Sequence, residues 1–197
     1  MPIAINGSGT ITGLSVGGLP DGTVDTDTLA TSVKRGKILQ VKQTQLTSHE
    51  TLSANTTWTD ISGLTITTDA LTATSSKVLV SLNFNFSVDG NGCGHHLSLS
   101  RTVGGTTTDY IADGANADSG GANAWMSLNN NYDQSNSLGI MINSYGDFLD
   151  SPNTTSAVTY KVRYYKVSGA STFYMNRSRG GPYATARTTL TIQEVAA

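Results

Sequence analysis

The chain has 197 residues, a formal net charge of −2 and 13% charged residues, against a globular average of about 25%. That balance excludes a protein built to neutralise phosphates, and with it a nucleic-acid binder; β-branched and aromatic residues spread along the chain exclude disorder. Cys93 stands alone, so no intrachain disulfide framework is open, and neither terminus shows an apolar run fit for a signal peptide or a membrane span. The expectation is synthesis in a reducing cytosol without membrane insertion.

Residues 1–22 are glycine-rich with isolated apolar residues: Ile3 alternates with Ile5, and Leu14 with Val16. This is too little apolar surface for a core. Two readings stay open, a flexible arm or an arm ordered along a partner subunit; the spaced apolar residues favour the second, since a plain Gly/Ser linker lacks them. Residues 25–35 predict a short helix. Asp25 caps it, Asp27 sits in the first turn, Lys34 and Arg35 sit in the last, and Gly36 stops it. Leu29 and Val33 share one face and must dock on something, because so short a helix is marginal alone. Residues 1–36 thus form an attachment and oligomerisation arm, with Ile3, Ile5, Leu14, Val16, Leu29 and Val33 as its contact residues, and 37–197 form the head.

In the head, strands follow one another with turn signals between. Ile38 to Leu46 alternates, and Thr57 to Thr68 is a second strand that Ser62-Gly63 breaks with a bulge or tight turn. The strongest signal is the run from Lys77 to Arg101. Val78, Val80, Leu82, Phe84, Phe86 and Val88 alternate with polar residues, Leu79 alone being apolar on the polar side. Asp89-Gly90-Asn91-Gly92 reverses the chain, and Leu97 and Leu99 resume the pattern. Shorter strands are expected at 109–112, 123–129 and 137–143. Val158, Tyr160, Val162 and Tyr164 then alternate with Thr159, Lys161, Arg163 and Tyr165, and strands at 172–176 and 186–195 close the chain. The prediction is an all-β protein, an antiparallel β-sandwich or barrel with no internal repeat. Strand parity gathers the connections 47–56, 89–96, 113–122, 143–157 and 178–186 at one end. The connections 69–76, 104–107, 130–136 and 168–171, and the entry of the arm, fall at the other.

Little in the sequence carries reaction chemistry. His95 and His96 lie beside Cys93, but neighbours in a strand point to opposite faces, so a metal there would need a ring of subunits. Residues 113–118 lack the ligand spacing of a calcium loop. No nucleophile elbow, phosphate loop or zinc-protease motif is present, and the aspartates lie in turn-like contexts. The reading is not an enzyme, with no cofactor and no metal. Aromatic residues in or near loops include Trp125, Tyr132, Tyr145, Phe148 and Tyr183. Tyr145, Phe148 and Tyr183 either stack on a sugar or protein partner or pack beneath their own loops, and Arg179 either binds acidic groups or is solvated; these four are the candidates for contact with a receptor, and Trp125 is assigned to the core.

The run INGSGTITGLSVGGLPDGTV, then GKILQV, SSKVLV, YMNRS and the ending TLTIQEVAA, resemble structural proteins of tailed bacteriophages, marine ones especially. The resemblance implies a jelly-roll-like, trimeric head behind an N-terminal arm held by other virion proteins, and a location in the virion. It further implies a tail-fibre or receptor-binding knob that meets a host-surface glycan or protein. A capsid decoration or head-fibre protein without a receptor is the alternative, and a polysaccharide-cleaving enzyme ranks below both.

Overall fold

The computed structural model describes residues 4–5, 11–12, 37–53, 56–88, 94–113, 124–128, 141–167 and 172–196. The chain divides into two units, Met1–Arg35 and Gly36–Ala197. In the first, β1 (Ala4–Ile5) pairs antiparallel with β2 (Ile11–Thr12), Ile5 opposite Ile11. Ile3, Leu14, Val16, Leu29, Val33 and the helix expected at 25–35 lie outside the described residues.

Among the described residues, the regular structure of the second unit is all strand. In chain order it holds β3 (Ile38–Leu46), β4 (Glu50–Leu52), β5 (Thr59–Thr67), β6 (Lys77–Val88), β7 (His95–Val103), β8 (Thr106–Thr108) and β9 (Met126–Leu128). There follow β10 (Ile142–Asp150), β11 (Val158–Lys166), β12 (Phe173–Met175), β13 (Arg177–Ser178), β14 (Gly181–Thr185) and β15 (Thr188–Val195). Every pairing is antiparallel.

Three pairs of strands share a lane end to end. One edge of β6 takes β15 along Lys77–Asn83 and β12 along Phe86–Val88, while its other edge takes β10. β3 and β4 line up on the far side of β15 and β12. β8 and β9 line up along one edge of β7, whose other edge takes β11. Lanes numbered in chain order therefore give one sheet as 1-8-3-6 and the other as 2-7-4-5. Two such four-lane sheets, with most connections crossing between them, are a jelly roll. We call them sheet I (β3/β4, β15/β12, β6, β10) and sheet II (β5, β11, β7, β8/β9).

The core follows from period-two patterning. Val78, Val80, Leu82, Phe84, Phe86 and Val88 all face inward, fully buried, against Leu97, Leu99, Tyr160, Val162, Leu190 and Ile192. At its upper end Phe86 stacks on Phe173 at 5.0 Å, and Phe173 also meets Tyr164 and His95. The break expected at Ser62-Gly63 is a bulge. While β11 advances from Lys161 to Arg163, β5 runs from Thr65 to Asp60. Gly63 has φ +82° and sits where a Cβ would be 2.9 Å from Leu46 Cδ1. The extra residues let Ile61, Leu64 and Ile66 all turn inward, which strict alternation forbids.

Four expectations are corrected. The connection read at 143–157 is mostly β10, nine residues long; Asn, Gly and Asp within INSYGDFLD read as turn residues, and its apolar residues fall on both faces. The strand read at 109–112 is a turn, since Tyr110 takes φ +62° and leaves the strand region. The connections 47–56 and 178–186 contain β4 and the β13–β14 hairpin. Parity shifts accordingly. Register places Leu52, Thr59, Val88, His95, Leu128, Ile142 and Lys166 toward one end, and Ile38, Thr67, Lys77, Val103, Asp150 and Val158 at the other. Thr108 and Met126 lie part-way along β7, and Met175 and Thr188 part-way along β6. Of the expected connections, residues 114–122 and 130–136 lie outside the described residues.

Candidate functional site

The sequence candidates scatter. Tyr145 projects from the outer face of β10, 61% exposed, its hydroxyl donating to Asp147 Oδ1 at 2.7 Å. Phe148, one pleat away on the inner side, packs on the core. Arg179 sits half-buried in the turn between β13 and β14, where it has a partner. Tyr183 lies in β14, its side chain outside the described residues. Trp125 packs on the core as expected, and its indole N–H donates to the Asp147 carbonyl. His95 and His96 face opposite ways. His95 is buried against Tyr164, with Nδ1 2.8 Å from the phenol oxygen, and burial holds its pKa down at about 4. His96 points outward to Ser127, and burial lowers its pKa as well. Among the described residues no group of three His, Cys, Asp or Glu side chains could hold a metal.

What the sequence reading passed over is the outer face of sheet II. Period two puts Thr159, Lys161, Arg163 and Tyr165 outward on β11, and register sets Tyr165 opposite His96 and Arg163 opposite Ser98. Trp58 enters just before β5, and Tyr110 is swung over by its left-handed φ. Four rings then run in a row. Tyr110 meets Trp58 edge-on at 5.7 Å, Trp58 meets Tyr165 at 5.2 Å, and Tyr165 meets His96 at 6.2 Å. Tyr110 is 42% exposed.

Beside the row lies a charge-balanced network. Arg163 ion-pairs with Asp60 (3.3 Å) and Asp109 (2.9 Å), and its Nη2 donates to the Trp58 carbonyl at 3.3 Å. Lys161 reaches the other oxygen of Asp60 at 2.9 Å. Arg163 is the most covered member, so the network fixes the backbone under Trp58 and the segment carrying Tyr110. Next to it, Asp113 accepts a hydrogen bond from Ser98, and burial lifts its carboxyl pKa to about 6. At the edge of the row a recess of about 190 Å³ opens between β4 and β5. Chemically the site offers flat apolar faces, hydroxyls, two paired carboxylates and a His96–Ser127 contact of 3.1 Å. The signal in sequence was Tyr164-Tyr165: adjacent strand residues cannot both be core.

Sheet I presents a different outer face. Asn143, Asn83 and Asn85 hydrogen-bond to one another across β10 and β6. Below them Leu149 lies opposite Leu79, and Val41 lies two lanes further across. Leu149 and Val41 are 55% and 58% exposed. Leu79, the apolar exception in its strand, thus pairs with Leu149 on the outer face, and Gln193 stands between it and Val41.

No family model matches the chain, and no curated protein matches it. Among solved structures it is similar to infectious bursal disease virus, Gt strain, at 13% identity and TM-score 0.41, over 91% of this chain and 43% of that one. It is also similar to the VP2 subviral particle of that virus, at 15% identity and TM-score 0.36, over 91% and 42%. The chain spans less than half the length of these proteins. A likeness at such TM-scores carries no argument about what this chain does.

Proposed function

We propose that the chain is a structural protein of a virus particle, a tail-fibre or receptor-binding knob of a tailed phage, whose head adheres to a glycan or protein on the host surface. The row Tyr110–Trp58–Tyr165–His96 carries this reading. The polar face of a sheet needs no aromatic rings for its own stability, and rings held over a rigid sheet beside hydroxyls and paired charges suit stacking on sugars. Several heads on one particle multiply weak contacts into avidity. The arm and the three-fold association implied by the phage resemblance belong to the same proposal. The fold itself hosts many functions, so the site supports the reading and the fold does not.

The test is adsorption. Purified protein should block attachment of the phage to its host, and a Trp58→Ala, Tyr110→Ala double variant with unchanged circular dichroism should not. Equal blocking by both proteins removes the ring row from the mechanism. The second reading, a capsid decoration or head-fibre protein, is favoured by the exposed apolar residues Val41 and Leu149 on the outer face of sheet I, suited to packing against neighbouring subunits. Labelled protein found on the capsid shell, with no effect on adsorption, would select it. Release of short oligosaccharides from host polymer would move the chain to the enzymes. Light scattering reads the trimer directly, and a monomer mass at high concentration discards it.

A further inference from the structure

We propose that the recess beside the ring row receives the acetamido group of an amino sugar, so that the head prefers N-acetylated glycans to plain hexoses. This rests on the glycan reading above and deepens it. The recess, about 190 Å³, is smaller than the ~300–1,000 Å³ of pockets that enclose a whole ligand. It suits a substituent, with the sugar ring left outside against the aromatic row. Its floor is apolar: Ile61 and Tyr164 are buried, and Leu52 packs on the core. Its rim is polar, with Thr51, Ser53, Thr59 and Asp60 exposed to solvent.

Those two zones narrow the chemistry. A hydroxyl pushed onto the floor meets apolar neighbours, since the Tyr164 hydroxyl is already engaged with His95, and a buried polar group left unpaired weakens binding. A carboxylate, sulfate or phosphate finds no free cation at Asp60, where Lys161 and Arg163 are already paired, and would lose its hydration on the apolar floor. A neutral group with an apolar end and an amide stem meets neither penalty. The methyl rests on Ile61 and Leu52, the N–H donates to a rim oxygen, and the carbonyl accepts from a rim hydroxyl. Asp60 joins this recess to the ring row, since it lines the one and ion-pairs with the Arg163 that holds the Trp58 carbonyl in the other. Ile61 and Tyr164 lie on the inner side of β5 and β11 and Trp58 and Tyr165 on the outer side, so a sugar that uses both reaches around the edge of β5 at Asp60.

The experiment is saturation-transfer NMR and calorimetry on the full chain with the methyl glycosides of N-acetylglucosamine, N-acetylgalactosamine, glucose and galactose. The N-acetyl sugars are expected to bind at least tenfold more tightly, with the strongest transfer at the acetamido methyl. Ser53→Trp, a plug at the exposed rim, should erase that preference while leaving weak hexose binding in place. Equal affinity for acetylated and plain sugars, or a preference that survives the plug, overturns the acetamido assignment and leaves the ring-row reading standing. No binding of any of the four sugars, with Trp58→Ala behaving as the parent, overturns both.

Discussion

Replacing Asn176 tests the point where both long lanes of sheet I are interrupted. Asn176 is fully buried and takes φ +60°, a left-handed conformation that asparagine tolerates better than most residues. Its side-chain amide donates to the Leu46 carbonyl (2.8 Å) and the Ser48 carbonyl (3.0 Å), bridging the gap between β3 and β4. Its Oδ1 accepts from Thr188 Oγ1 at 2.9 Å, which joins β12 to β15 across the inserted hairpin. Alanine strips all three bonds. At about 1 kcal/mol for each part-buried group left unpaired, the loss is about 3 kcal/mol, and a Cβ-bearing residue without a polar side chain adds about 1 kcal/mol at that φ. Glycine loses the same bonds without the strain, so Asn176→Gly should be at least as stable as Asn176→Ala, reversing the usual order of the two residues. Asn176→Asp keeps the shape but turns a carboxylate on two carbonyls, and should cost no less than alanine. Urea unfolding reads this directly: with an m-value of about 2 kcal/mol/M, a loss of about 4 kcal/mol lowers the midpoint by about 2 M. A shift below 0.5 M for alanine, or an aspartate variant as stable as the parent, would refute the claim that one amide splices the sheet.

The remaining predictions concern the core and its margins. Asp150 accepts from Arg101 at 2.7 Å and from the Tyr160 hydroxyl at 2.8 Å, so Asp150→Ala should cost about 3 kcal/mol in denaturant unfolding; a loss under 1 kcal/mol would contradict the network. Gly146 faces Met126 and Trp125, where a Cβ would lie 2.8 Å from Met126 Sδ and 3.3 Å from the indole. Gly146→Ala should therefore destabilise by about 1–3 kcal/mol through overpacking, and an unchanged melting temperature would show that Met126 has room to move. His95 has its folded pKa at about 4, against 6.5 in an open chain. As pH falls from 6.5 to 4 the unfolded state takes up the proton first, so stability is present above that window, falls through it and levels below. The full drop from this group is about 3 kcal/mol. Asp113, raised to about 6 from 3.8, runs the other way and gains stability as pH falls through 6 toward 3.8. The His95→Phe variant isolates the histidine: its pH profile should lose the fall between 6.5 and 4, and profiles parallel to the parent's would refute the assignment.

The sheets were legible wherever one face is uniformly apolar. The runs 77–88, 158–166 and 188–195 alternate cleanly and became β6, β11 and β15, whereas 38–46 became β3 with Gln40, Lys42 and Thr44 on its more covered side and Val41 exposed. β10 was hidden because Tyr145 and Leu149 point outward while Ile142 and Phe148 face the core and Gly146 lies inward under Met126, so neither face is uniformly apolar. Lane sharing was hidden for a different reason. β4, β8, β9 and β12 have three residues each, too few for a period, and they form only because a neighbouring strand already offers its edge. Tyr145, expected in a loop, stands instead on the outer face of β10. The ring row was not, because Trp58, Tyr110 and Tyr165 are far apart in sequence and only a left-handed Tyr110 brings one of them across. Tyr165, written beside Tyr164 in a strand, was the single residue that announced an aromatic on the outside.

The paired interruption in sheet I also sets how the head comes apart. β4, β12 and the last turnings of β6 make a small upper leaf, and β3, β15 and the body of β6 a larger lower one. Little backbone crosses between the leaves apart from β6 and the Asn176 junction. Amide protons of Leu52 and Phe173 should accordingly exchange with solvent by a local opening that leaves those of Leu190 and Ile192 locked until global unfolding. A head stressed by heat or acid would then fray from its crown, beside the recess, while its base still holds.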